Sequence, residues 1–360
     1  MRRNSWPTRM LGLVAIAAVI AGCGSSADGT TTSGASSAPT DNFTTVTLGT
    51  VSNLMHVEEF VAAQEGFYAE NGLDVKVKVF ASGSDITKAL QAGTIEFGTA
   101  STTSVPSARS AGVLLKSLTG GMNDATSSTY DGPLGIVGRA DRGITDQASS
   151  LKGKKIGTLT GSTTTEYLDL FLAKNGMTAK DVTIVNLQVP DHPVSLKQGD
   201  VDAVASWEPY VSQEIRELGS NAVTVSRGDG LLGYVMGLGA LDSTLKNKRD
   251  VTLKFVAAMA QGDAFIRKNP EKAAQDASAY LSGLDLKDAT AAIKDHLKWD
   301  PRISACTEAA MSTESDRMLK SGKIKTAVPL ADLIDASLIG QVQKVHPEWF
   351  ADLPPMPTSC

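Results

Sequence analysis

Gly153-Lys154-Lys155-Ile156-Gly157-Thr158-Leu159-Thr160-Gly161-Ser162-Thr163-Thr164-Thr165 begins the stretch, running to Tyr210, whose reading decides the fold. Apolar residues after a Gly-Lys-Lys turn read as a strand that ends in a glycine and four hydroxyls. Tyr167, Leu168, Leu170, Phe171 and Leu172 then form a helical pattern that stops at Asn175-Gly176. A second strand over 182–187 follows, then a short helix ending at Gly199, then a third strand over 201–205. That strand delivers Ser206-Trp207-Glu208-Pro209-Tyr210. The alternation predicts an open α/β sheet, whose ligands bind in the crevice beyond the strand ends.

The pattern occurs twice. Leu48-Gly49-Thr50-Val51-Ser52 corresponds to Ile156-Gly157-Thr158-Leu159-Thr160, and Asn71-Gly72-Leu73 to Asn175-Gly176-Met177. Leu90-Gln91-Ala92-Gly93-Thr94-Ile95-Glu96 corresponds to Leu196-Lys197-Gln198-Gly199-Asp200-Val201-Asp202. Because spacing recurs along with composition, a duplicated α/β lobe is expected, with strand ends facing across a cleft.

Arg2, Arg3 and Arg9 precede an apolar run from Met10 to Gly22, shorter than the roughly 20 residues a spanning helix needs. Residues 1–22 therefore read as an export signal. Ile20-Ala21-Gly22-Cys23 resembles the bacterial lipoprotein box, which implies lipidation of Cys23 after cleavage. Residues 23–42, rich in Ser, Thr, Gly and Ala, cannot bury a core and read as a tether reaching about 25 Å. Loss of the three arginines moves the formal charge from −5 to −8, which argues against nucleic acid as a partner. Cys306 and Cys360 then remain, either as a disulfide or as two free thiols.

Lobe one begins with a strand over 46–51 and the loop Ser52-Asn53-Leu54-Met55-His56. Ala81-Ser82-Gly83-Ser84-Asp85 leads into a helix, and a strand over 95–99 ends in Ala100-Ser101-Thr102-Thr103-Ser104. Residues 132–138 and 230–241 read as extended crossings between lobes, the second containing Tyr234. Helices are expected over 251–266, 270–281, 286–297, 307–321 and 330–345, packing back onto lobe one. The expected division is lobe one over 43–136 and 242–360, and lobe two over 137–241.

In order and spacing, Gly-Lys-Lys-Ile-Gly at 153–157, Gly-Ser-Thr-Thr at 161–164, Asp181-Val182, Gly199 to Ala203 and Trp207-Glu208-Pro209 resemble a known group. It comprises the extracytoplasmic substrate-binding proteins for aliphatic sulfonates, taurine, nitrate and thiamine precursors, which serve ATP-driven importers. The resemblance implies a two-lobe type II periplasmic-binding-protein fold with two crossing hinge strands. It also implies a monomeric receptor with ABC permease and ATPase subunits as partners, no cofactor, and a membrane location through the lipid anchor. Ser162, Thr163, Trp207 and Glu208 are the binding positions carried over. By position, Ser52 to His56, Ser82 to Ser84, Ser101, Thr102, Asp191 and His192 should line the rim or floor.

The hydroxyls at 162–165 lie where a helix start favours an anion, although one hydroxyl suffices for capping. Trp207 either stacks on the ligand or fills lobe two. Glu208 either meets an amine of the ligand or caps a hinge helix. The histidines at 56, 192, 296 and 346 show no metal-ligand spacing; His56, His192 and Tyr234 are placed to reach a ligand. Sulfonates lead as ligands, then nitrate, thiamine-type pyrimidines and aromatic acids. An enzyme related to pyrimidine synthases lacks support, for there is no cysteine cluster, Gly-x-Ser-x-Gly or phosphate loop. A signalling receptor stays open.

Overall fold

A computed structural model describes residues 43–80 and 82–360. The expected signal at 1–22, the lipidated Cys23 and the tether at 23–42 lie outside the described residues.

The strands, in chain order, are β1 (Thr44–Val51), β2 (Leu73–Phe80), β3 (Phe97–Ser101), β4 (Leu115–Ser117) and β5 (Leu134–Arg139). They continue with β6 (Lys155–Thr158), β7 (Thr183–Asn186), β8 (Ala203–Trp207), β9 (Ala222–Arg227) and β10 (Met236–Leu241). Two five-stranded sheets result, ordered β2-β1-β3-β10-β4 and β7-β6-β8-β5-β9. Exchanging each strand for its repeat partner turns one order into the other. Even the odd strand matches: β10 runs antiparallel to β3 and β4, as β5 does to β8 and β9.

The repeat extends to individual hydrogen bonds. Glu96 accepts from the Thr47 N–H at 2.7 Å, and Asp202 accepts from the Lys155 N–H at 2.9 Å. Each acid thereby ties the start of one central strand to its parallel neighbour. Asn71 and Asn175 each donate a side-chain N–H to the carbonyl four residues earlier, at 2.8 Å. The glycine that follows takes a left-handed conformation, φ 72° at Gly72 and 69° at Gly176, which ends the helix at low steric cost.

Three sequence expectations change. The strands expected at 95–99 and 201–205 each lie two residues later, because Glu96 and Asp202 serve as clamps ahead of the ladder. Residues 134–136, expected in lobe one, pair in the second sheet, and 236–241, expected in lobe two, pair in the first. The crossings are therefore the segments before β5 and β10, not those strands themselves. They run side by side: the Tyr234 N–H donates to the Tyr130 carbonyl (2.8 Å) and the Met236 N–H to the Met122 carbonyl (3.0 Å). Asp131, buried between them, accepts from the N–H groups of Gly230 (2.9 Å) and Leu231 (2.7 Å).

The C-terminal helices Arg249–Lys268 and Pro270–Ser278 pack on the Val57–Gln64 helix beneath the first sheet. Phe255 stacks on Phe97 with centroids 4.5 Å apart, and Phe60 on Tyr280 at 4.6 Å. The helix expected over 330–345 divides into Leu330–Leu333 and Ser337–Val345. Between them Ile334 bridges to Ser117 and the Asp335 N–H donates to its carbonyl, so the break covers the edge of β4. Cys306 and Cys360 form a disulfide, with Cα atoms 4.9 Å apart. Among the described residues no helix is long and apolar enough to cross a membrane.

Candidate ligand-binding site

The C-terminal ends of β1, β3, β6 and β8 carry the loops from which a site between the lobes is built. The crossings brace these ends in matched fashion. The Thr102 N–H donates to the Val235 carbonyl (3.3 Å), and 106 residues later the Glu208 N–H donates to the Pro133 carbonyl (3.0 Å). One crevice draws on both lobes: Ser52 and Asn53 line it from lobe one, and Pro209, Tyr210 and Gln213 from lobe two. Its remaining wall is the segment from Leu281 to Asp285, with Asp288.

Most of the expected hydroxyls are engaged within their own loops. Ser162 caps the Thr163–Lys174 helix, accepting from the Thr164 N–H (3.3 Å) and donating to the Leu159 carbonyl (2.6 Å). Thr164 pairs with Thr158 at 2.8 Å, and Thr165 donates to Leu159 at 2.7 Å. The run of hydroxyls is thus mainly a brace for a tight turn. That leaves Thr163, buried and facing the phenol of Tyr234 across the lobes. Ser82 caps the Gly83–Gln91 helix. Ser101 and Ser104 bond reciprocally, each hydroxyl accepting the other's N–H at 3.0 and 2.9 Å.

Two groups at corresponding strand ends, neither of them lining that crevice, have no partner among the described residues. The Thr102 hydroxyl is fully buried, and the indole N–H of the half-buried Trp207 is likewise shielded from water. A buried donor without an acceptor is costly, so a group arriving from outside the protein would relieve it.

Of the two roles expected for Glu208, the helix cap is the one seen: its carboxylate accepts from the Ser212 N–H at 3.4 Å, in the first turn of the Tyr210–Leu218 helix. The fully buried carboxylate also pairs with Arg227 and accepts from the Ser212 hydroxyl at 3.1 Å, so it has no need of a ligand amine. Burial lowers Arg227 to about 10, which leaves it a cation at neutral pH. His192 is also buried away from the crevice, with Nδ1 3.3 Å from the Ser206 hydroxyl and 3.9 Å from Glu214. Burial lowers it to about 4, so the ring stays neutral. Asp191 is exposed, and its charge acts on the phenol of Tyr210. His56 is fully buried inside lobe one, lowered to about 3 by that burial, and does not reach the rim.

Sequence reading missed Tyr210, Gln213 and the wall from 281 to 285, while Asn53 belongs to the Ser52–His56 loop expected at the rim. Tyr210 and Gln213 begin a helix whose spacing reads as packing, and Leu281 and Leu284 sit among helices that read as core. Ser282-Gly283, a break between two of those helices, is the one signal that could have drawn attention there.

A Bacillus subtilis protein named for binding aliphatic sulfonates is 24% identical over 339 residues, covering 93% of this chain and 96% of its own. A Saccharomyces cerevisiae 4-amino-5-hydroxymethyl-2-methylpyrimidine phosphate synthase is 26% identical, covering 69% of this chain and 68% of its own. The crystal structure of the periplasmic aliphatic sulphonate binding protein from Escherichia coli superposes with a TM-score of 0.68 at 19% identity. It spans 81% of this chain and 92% of its own. The periplasmic nitrate-binding protein from Synechocystis gives 0.71 at 15% identity, spanning 88% and 92%. The NMT1/THI5 like family matches residues 53–273, which is more than half of the sequence, and with two lobes of matching topology already described, this chain belongs to that family.

Proposed function

We propose that this protein is a solute-binding receptor for an ATP-driven importer, capturing a small organic anion of the sulfonate type between its lobes. Lipid on Cys23 holds it at the outer face of the cell membrane, and the tether lets it reach a permease and its ATPase. The observation that carries the reading is the pair of unpartnered buried donors, Thr102 and Trp207, at equivalent ends of β3 and β8. Neutral donors bind an oxyanion reversibly without the desolvation cost of a buried cation. The relatives named for sulfonate and nitrate binding support the same class. Catalysis is not part of the proposal, since the crevice offers hydrogen bonds and a phenol ring, and the Ser206 hydroxyl beside His192 is fully buried outside it.

A second reading is favoured by Asp285 and Asp288 in the crevice wall, each of which uses one carboxylate oxygen, in a helix cap and in the pair with Arg216, and keeps the other. A ligand with an amino group, such as an aminosulfonate or a thiamine-type aminopyrimidine, would suit that wall. Thermal unfolding of protein lacking residues 1–42 in the presence of alkanesulfonates, aminosulfonates, nitrate and aminopyrimidines separates the two. The binder raises the Tm as expected from mass action, and Trp207→Ala weakens it at least about tenfold with folding intact. No shift with any class, or turnover of one of them, would overturn the proposal.

A further inference from the structure

His56, Glu58 and Glu59 lie within one short stretch, Leu54-Met55-His56-Val57-Glu58-Glu59, and all three are fully buried. One ligand atom from each lies within 4.8 Å of the other two. Neither ring nitrogen of His56 has a hydrogen-bond partner among the described residues, and neither does any of the four carboxylate oxygens. Among the described residues no lysine or arginine stands within 4.0 Å of either carboxylate; the one cationic candidate is His56 itself, 3.7 Å from Glu59. Asp263, on the Arg249–Lys268 helix, adds a third buried and unpartnered carboxylate whose charge acts on Glu58.

Such a group cannot rest as it stands. Two isolated buried carboxylates cost several kcal/mol each, of the order that breaks a fold. Protonating them removes the charge, yet Glu59 then faces only the Thr50 hydroxyl and Glu58 only its own backbone N–H, neither in full hydrogen-bond geometry. A divalent cation answers the charge: with two carboxylates and a neutral imidazole the net charge is zero, and one orphaned atom of each residue gains a partner. The spacing is suitable, because two ligands each about 2 Å from a tetrahedral ion stand roughly 3.3 Å apart. The mixed nitrogen and oxygen donors select a first-row transition dication over magnesium or calcium.

We propose that His56, Glu58 and Glu59 bind a divalent transition-metal ion, zinc in the first instance, inside lobe one, with Asp263 as a neighbouring carboxylate behind Glu58. The site lies directly beneath the hinge: a Cβ on Gly121, in the first crossing, would fall 2.8 Å from Glu58 Oε1. It also follows immediately on Ser52 and Asn53, which line the crevice. Bound metal therefore fixes the loop that one lobe presents to a ligand, and it does so whatever that ligand is.

The test begins with the full chain, unfolded in chelator and refolded with or without zinc. Elemental analysis after dialysis should give near-stoichiometric zinc, and the refolded holo protein should melt roughly 4 °C or more above the apo form. Glu59→Gln, which keeps the shape, should lower zinc affinity at least about tenfold, and Glu59→Asp should recover part of it. Zinc not retained by the wild type, or retained equally by Glu59→Gln, overturns the proposal. Should the substituted chains fail to fold, crystals of the zinc-loaded wild type decide the matter. An anomalous peak at the zinc edge beside His56 supports the site, and a peak elsewhere or none removes it. None of these readouts depends on the transport ligand, so failure here and failure of the receptor reading are distinct.

Discussion

Glu208 shows how little a residue's type says about its duty. A carboxylate at a strand end facing a crevice invites a ligand role, yet Arg227, 19 residues later on β9, reaches back to take it. Removing one member of a buried pair strands the other, so Glu208→Ala should cost about 3 kcal/mol by urea unfolding. Combining it with Arg227→Met should recover most of that loss, whereas a ligand-binding role would leave stability nearly unchanged. Glu314 is a second informative residue. Burial first, and the neighbouring Glu166 carboxylate second, raise it to about 7 from an ordinary 4.5. Between those values the folded chain holds a proton that the unfolded chain has lost, so stability falls as pH rises through that window. Glu314→Gln should flatten the slope by up to about one proton between pH 5 and 7, as read from unfolding curves at several pH values.

Among the elements, the hydroxyl-rich loops are the instructive case. Ser162, Thr164 and Thr165 hold a strand-to-helix turn together, and Ser101 with Ser104 does the same in the other lobe. The same atoms that suggest an anion site on paper are used to satisfy backbone groups at a helix start. The C-terminal tail is held differently. Cys360 is covalently tied to the first turn of the Ala305–Lys320 helix across 54 residues. Arg267 anchors the same tail through Asp352 (2.8 Å) and the Trp349 carbonyl (2.5 Å). Cys360→Ser should therefore lower stability by about 2–4 kcal/mol without changing ligand affinity, as measured by unfolding and titration calorimetry on the same preparation.

On the scale of the whole molecule, two lobes are joined by paired crossings and meet again through charges. Arg216 on the Tyr210–Leu218 helix pairs with Asp288 at 2.6 Å. Glu166, on the Thr163–Lys174 helix, takes Lys323 at 2.8 Å and Arg317 at 3.6 Å from the segment that packs on lobe one. These pairs join the lobes apart from the crossings and favour the arrangement described here. Glu166→Gln should weaken ligand binding about fivefold by shifting the population towards open forms, and small-angle scattering should show a larger radius without ligand. An unchanged affinity and radius would mean that the crossings alone set the angle.

The duplicated lobe was legible in the sequence because it is local. The Asn-Gly stops, the acid before each third strand and the strand–helix period are decisions made within about 30 residues, and each reappears at nearly the same offset. Sheet membership of 134–139 and 236–241 was not legible, because a strand following a crossing reads the same whichever sheet receives it. The site was legible only in part. Composition placed hydroxyls, an indole and a carboxylate near two strand ends, but which of those groups stay unpaired depends on partners brought from far along the chain. Arg227 took Glu208, neighbouring turns absorbed the serines, and a wall from 281 to 285 closed a crevice that no local pattern announced. The His56–Glu58–Glu59 cluster followed the same logic: its spacing is ordinary on paper, and only burial on all sides removes the water that would otherwise make those charges unremarkable.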